Sequence, residues 1–146
     1  MVERRFIADG GRTPSGRPYV NLLDDPWQFC AKQRAFGLRQ LVLLLADATG
    51  CCKIIASATR TDPIEKGVWA ILHECANDPG FSQLTMAIAY NDEPVDDEDS
   101  ADEAGADALR RRFAAASIYA ADFGVELLDW FCCDDTRALS LRSGFE

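Results

Sequence analysis

The chain predicts an α/β fold of the mixed α+β kind, one mixed β-sheet flanked by helices in the order αββαβαββ. Three observations predict it. Apolar runs of strand length recur at 40–46 and 84–89, and a further strand-like stretch at 125–133. Other stretches carry apolar residues that return every three and four positions, which is the helical period. Clusters rich in Gly, Pro, Asn and Asp separate the two kinds of segment.

At 146 residues one domain is expected, and a chain of this size buries a core without staples. Residues 1–21 read as a flexible N-terminal arm and 22–146 as the domain. Within the arm, Gly10-Gly11-Arg12-Thr13-Pro14-Ser15-Gly16-Arg17-Pro18 is turn and breaker chemistry with nothing to bury. A helix is expected at 25–34, with an acid at its cap, Pro26 in its first turn, then Trp27, Phe29 and Cys30. The apolar run at 40–46 suits a strand covered on both faces. Asp47-Ala48-Thr49-Gly50 turns it into a second strand at 51–58, completing a β-hairpin.

Thr61-Asp62-Pro63 is expected to cap a second helix, with Val68, Trp69, Ile71, Leu72 and Cys75 as its buried stripe. Asn77-Asp78-Pro79-Gly80 ends it. The central strand at 84–89 then gives way to a polar bend, where Pro94 forbids continuation as a central strand. A third helix at 106–123 repeats Leu109, Phe113, Ala116 and Ala120 at helical spacing and stops at Gly124. A strand at 125–133, a turn and a short strand at 138–141 complete the order. That last edge leaves pairing between subunits open.

Charge is concentrated. The net charge is −9, and nine acids with no base fall between Asp92 and Asp107, leaving 15 acidic against 15 basic residues elsewhere. Such a face argues against direct phosphate-backbone binding. No apolar run reaches the roughly 18 residues of a membrane span, and no secretory signal opens the sequence, so the expected location is cytoplasmic. The six cysteines fall as Cys51-Cys52, Cys132-Cys133, Cys30 and Cys75, without a Cys-x-x-Cys. They read as reduced, buried thiols acting as small hydrophobes.

Chemistry is sought first at Tyr90 and Asp92. They stand just past the central strand, where ligand groups gather in open sheets, and two residues apart they share a side if extended. Other constellations fall short. His73-Glu74 begins a zincin-like phrase, but Asn77 stands where the second histidine belongs, and the chain has one histidine. Arg110-Arg111-Arg112 reads as intrachain pairing on a solvated face, and Trp27, Trp69 and Trp130 as core or interface anchors.

The element order and several local phrases together resemble the RadC-type branch of the JAB/JAMM (MPN) metalloprotease-like domains. Leu41 to Gly50 reads Leu-Val-Leu-Leu-Leu-Ala-Asp-Ala-Thr-Gly, similar to that family's first hairpin. Gly124-Val125-Glu126-Leu127-Leu128-Asp129 and Ser140-Leu141-Arg142 resemble its two later phrases. The likeness spans residues 22–143. It implies a JAB/MPN-like sheet and a zinc site of two histidines, a serine and an acid. The matching positions here are Tyr90, Asp92, Ser100 and Glu103, with Asn91 in the middle place of the histidine pair. Gly67 aligns with the family's catalytic glutamate, Glu65 lies nearby, and Trp130 replaces a further histidine.

Zinc of this kind needs imidazole nitrogens and an open position for water, and a phenol with a pKa near 10 is a poor substitute. The family's zinc is therefore not expected here, and no resident cofactor is. Oxygen ligands would favour Mg²⁺ or Ca²⁺. The reading that follows is a non-catalytic binding or scaffolding module with a protein partner, which the acidic segment would prefer basic. The alternatives are a metal-dependent, isopeptidase-like hydrolase using Asp92, Ser100 and Glu103, and a DNA-repair-associated protein acting through a protein partner.

Overall fold

The computed structural model describes residues 2–6, 13–17, 40–59, 63–78, 80–92, 103–133 and 138–141. Its strands are β1 (Val2–Phe6), β2 (Gln40–Asp47), β3 (Cys52–Thr59), β4 (Leu84–Asp92), β5 (Glu126–Cys133) and β6 (Ala138–Ser140). Its helices are α1 (Lys66–Cys75) and α2 (Glu103–Ala121). The strands form one sheet in the order β1-β3-β2-β4-β5-β6. Every pairing is antiparallel except β4 with β5, which run parallel with α2 as the crossover. The expected mixed α/β architecture is present. The helix expected at 25–34, with Trp27 and Cys30, lies outside the described residues.

Strand β2 shows why the sequence folds this way. Leu41 to Ala46 are each at most 3% exposed, so the strand is buried on both faces, as its unbroken apolar run requires. Leu41, Leu43 and Leu45 belong to a first cluster that includes Val68, Ile71, Leu72 and Cys75 of α1 and Ala116 and Ala120 of α2. Val42, Leu44 and Ala46 face the other way, into a second cluster with Cys52, Ile88, Tyr90 and Phe131. Both described helices thus lie on the first face. Alanines at 87, 89, 116 and 120 keep that interface thin.

Three sequence expectations are revised. Strand β1 pairs with β3 from Val2↔Ala58 to Phe6↔Ile54, so part of the stretch read as an arm is an edge of the sheet. Helix α1 starts at Lys66, after turn bonds from the Lys66 and Gly67 amides to the Pro63 and Ile64 carbonyls. Glu65 holds the cap position without a side-chain cap bond, rather than Thr61 or Asp62. Trp69 is 44% exposed instead of buried. Val68, Ile71, Leu72 and Cys75 already fill the inward stripe, and Trp69 on its flank stacks on His73 one turn later, with ring centroids 4.8 Å apart. By contrast, Gly124 stops α2 as expected: at φ +75° it takes the left-handed conformation that L side chains resist.

The β2–β3 turn is built around one carboxylate. Asp47 Oδ1 accepts the Thr49 hydroxyl at 2.6 Å and the Thr49 and Cys51 amides at 2.9 and 3.2 Å. Gly50 closes the loop at φ +88°, with its amide on the Asp47 carbonyl. Burial works to raise the Asp47 pKa, but the bonds from Thr49 and Cys51 and the nearby Lys53 outweigh it and hold the carboxyl below its ordinary value. Asp47→Ala is expected to lose about 2 kcal/mol. Because the folded pKa is depressed, this contribution is complete above the unfolded carboxylate value of about 3.9 and fades as pH falls through the folded one. Denaturant melts of both proteins between pH 7 and pH 3 check this: the gap between them should narrow only on the acid side.

Candidate functional site

Strands β3, β4 and β5 all end at one edge of the sheet, where β2 begins. The register sets Thr59 against Gln40, Asn91 against Leu41, and Asp92 against Cys133. Strand β4 runs on through Tyr90 and Asn91 to Asp92, so these residues belong to the strand and not to a bend beyond it. The strand pattern continues because each finds a place in the ladder: Tyr90 lies opposite Val42 and Phe131, Asn91 opposite Leu41 and Cys132.

Alternation along β4 decides what these side chains do. Tyr90 turns to the second face and is 3% exposed among Val42, Leu44, Ile88 and Phe131. Its phenol ring is packed into an apolar layer. Asp92 ends β4, opposite Cys133. Ser100 lies outside the described residues. Glu103 opens α2, whose Ala116 and Ala120 pack on the opposite face. Gly67, which the resemblance sets against a glutamate, is buried in α1 and brings no carboxylate.

The polar chemistry at this edge sits instead on the helix side, at a residue the sequence reading treated as a spacer. Asn91 is 2% exposed. Its Oδ1 accepts the Trp130 indole N–H at 2.7 Å and the Cys132 thiol at 3.5 Å. Over them lies Arg112, with its guanidinium carbon 5.8 Å from the Trp130 ring centroid and Nη1 3.9 Å from the Cys132 sulfur. Arg112 is therefore not on the solvated face expected for the arginine cluster. Arg110 is: it is exposed and pairs with Asp107 at 3.3 Å. Position in the helix separates the two, since Arg112 follows Leu109 by three and precedes Ala116 by four, on the inward stripe. Asn91 stands next to the last residue of β4, where the sequence reads as a polar bend, so its need for a buried partner shows only once the strand is in place.

Strand β5 carries a second fixed carboxylate. Its register with β4 steps from Leu127 to Asp129, a bulge that re-aims the strand. Asp129 accepts the Ser140 hydroxyl at 2.7 and 2.8 Å on its two oxygens and the Trp130 amide at 2.7 Å. The Leu141 amide reaches the Trp130 carbonyl at 2.8 Å. Together these bonds hold the three-residue strand β6 on the sheet.

Zinc does not fit the described donors. Tyr90 is spent on packing, the Asn91 amide is bonded to Trp130, and Trp130 itself is buried in the core. Among the described residues no three His, Cys, Asp or Glu side chains gather into a ligand set. Cys51, Cys52, Cys75 and Cys132 are buried thiols, and burial pushes Cys52 up to about 12, far from the thiolate a soft metal or a nucleophile needs. No helix among the described residues is long and apolar enough to cross a membrane. Set against known protein families, curated proteins and solved structures, the chain finds no match.

Proposed function

We propose that this chain is a non-catalytic binding or scaffolding module, built on a RadC-like JAB domain without its zinc-binding histidines, and that it holds a basic protein partner. The carrying observation is the fate of the donor positions: Tyr90 fills an apolar layer and Asn91 is committed to Trp130. Element order supports the reading, since the Asp47 hairpin, α1, β4, α2, β5 and β6 follow one another as the resemblance implies. Two of its phrases, whose Asp129 and Ser140 are 11 residues apart, meet through the Ser140–Asp129 bond. A net charge of −9, with nine acids between Asp92 and Asp107, favours a basic partner over a nucleic acid.

Zinc-dependent melting tests the reading. A ligand present at 100 times its dissociation constant stabilises by about 2.7 kcal/mol, which for a domain of this size raises the melting temperature by several degrees. The purified chain is expected to carry no stoichiometric metal and to melt at the same temperature with micromolar zinc or with a chelator. A clear upward shift with zinc sinks the proposal.

A further inference from the structure

Helix α2 has an outer face as well as the inward stripe that carries Leu109, Phe113, Ala116 and Ala120. On that outer face Arg111, Ala114, Ile118, Ala121 and Asp122 follow one another by three and four residues, so they line up along the helix. All five are exposed. Asp122 stands just past Ala121, but its amide still bonds the Ile118 carbonyl, so the helical spacing reaches it. Ile118 is 65% exposed. A single exposed isoleucine is ordinary on a protein surface; its setting is not. Alanines one turn to either side leave bare helix around it, and opposite charges stand at the two ends.

Those charges are unspent. Of the three arginines in a row, Arg112 lies over Trp130 and Arg110 pairs with Asp107. Among the described residues no ion pair engages Arg111 or Asp122. A second α2 laid antiparallel on the first uses both. With Ile118 of each copy over Ala114 of the other, Arg111 comes level with Ala121 of the facing helix and beside Asp122. The negative end of the facing helix dipole falls there too. A parallel arrangement would set Arg111 against Arg111 and Asp122 against Asp122, and like charges repel. The alanines let the two backbones approach to the short end of the roughly 8–10 Å range of helix pairs.

We propose that two copies of this chain associate through this face, α2 antiparallel to α2 about a twofold axis, with Ile118 at the centre and an Arg111–Asp122 pair at each end. Such an interface is isologous, so every contact occurs twice and the assembly closes at two chains. The inference does not depend on the binding-module reading. Residues 111–122 span only about 17 Å of helix, so the contact falls short of the roughly 800 Å² per partner of a stable complex. The dimer therefore forms at high protein concentration.

The test is sedimentation equilibrium of the full chain from about 10 μM to about 1 mM. Salt of about 0.15 M screens the long-range repulsion between copies, each of which carries a net charge of −9. The average mass is expected to rise from one chain toward two and no further. Ile118→Glu should raise the dissociation constant about tenfold or more, since each dimer would bury two carboxylates. Arg111→Asp and Asp122→Arg should each raise it about fivefold, because an exposed pair is lost at both ends. Asp122→Arg should do so even though it lowers the net charge. Combining the two exchanges the charges at unchanged net charge, and affinity should return. All three positions are exposed, and unchanged circular dichroism verifies that the variants fold. A mass that stays at one chain throughout, a mass that climbs past two, a dimer indifferent to Ile118→Glu, or a double variant no better than the single ones would each overturn the proposal.

Discussion

Trp130→Ala is expected to destabilise the chain by about 3–5 kcal/mol, a large share of the roughly 5–15 kcal/mol that holds a domain folded. Trp130 is fully buried and, among the described residues, the largest side chain in the core. Its removal opens a cavity beneath Arg112 and strips the indole donor from Asn91. Trp130→Phe separates these effects. It keeps most of the apolar contact but removes the N–H, so the buried Asn91 oxygen is left with the Cys132 thiol at 3.5 Å. An under-satisfied buried acceptor costs about 1–3 kcal/mol. Adding Asn91→Leu replaces both partners by apolar groups and should return much of that loss, a coupling well above the few tenths found for independent sites. Urea melts followed by far-UV circular dichroism measure all four proteins. Simple additivity of the two single changes would show that the Trp130–Asn91 bond contributes nothing.

What the sequence made legible follows from how local each signal is. The β2–β3 hairpin is readable because its cause is local: an apolar run, then an aspartate with a threonine two residues on and a glycine able to take φ +88°. The inward stripe of α2 and its stop at Gly124 are local in the same sense. Trp69 was misplaced because periodicity ranks residues by hydrophobicity, whereas the stripe was already complete without it. The end of β4 was misread for another reason. Tyr90, Asn91 and Asp92 look like a polar bend in one dimension, and only β2 and β5 on either side make them a strand. Asn91 and Arg112 were missed because their partners, Trp130 and Cys132, lie 39 and 20 residues away.

That mistake about β4 bears on function. Had Tyr90 stood beyond the strand, its phenol would face the crevice where ligands gather. Inside the strand it is surrounded on its own face by side chains of β2, β4 and β5. Whether the same residue stands in or out of the ladder separates a site residue from a core residue. The donor set that the resemblance implies is thus divided: Tyr90 lies in one apolar layer, Trp130 in the other, with the sheet between them.

Substitutions at Tyr90 distinguish the two roles directly. As a core residue it should tolerate Tyr90→Phe with a loss of at most about 1.5 kcal/mol, the size of one net hydrogen bond, and Tyr90→Ala should cost about 3–5 kcal/mol through the cavity left between Val42 and Phe131. As a metal or ligand residue it would lose binding equally in both variants, since phenylalanine and alanine both lack the oxygen. Melts with and without added Mg²⁺, Ca²⁺ and Zn²⁺ supply both readouts at once. The packing role requires a stability gap between the two variants that no cation changes. A cation that stabilises the unmodified chain and fails equally on both variants would instead make the phenol oxygen the part that matters.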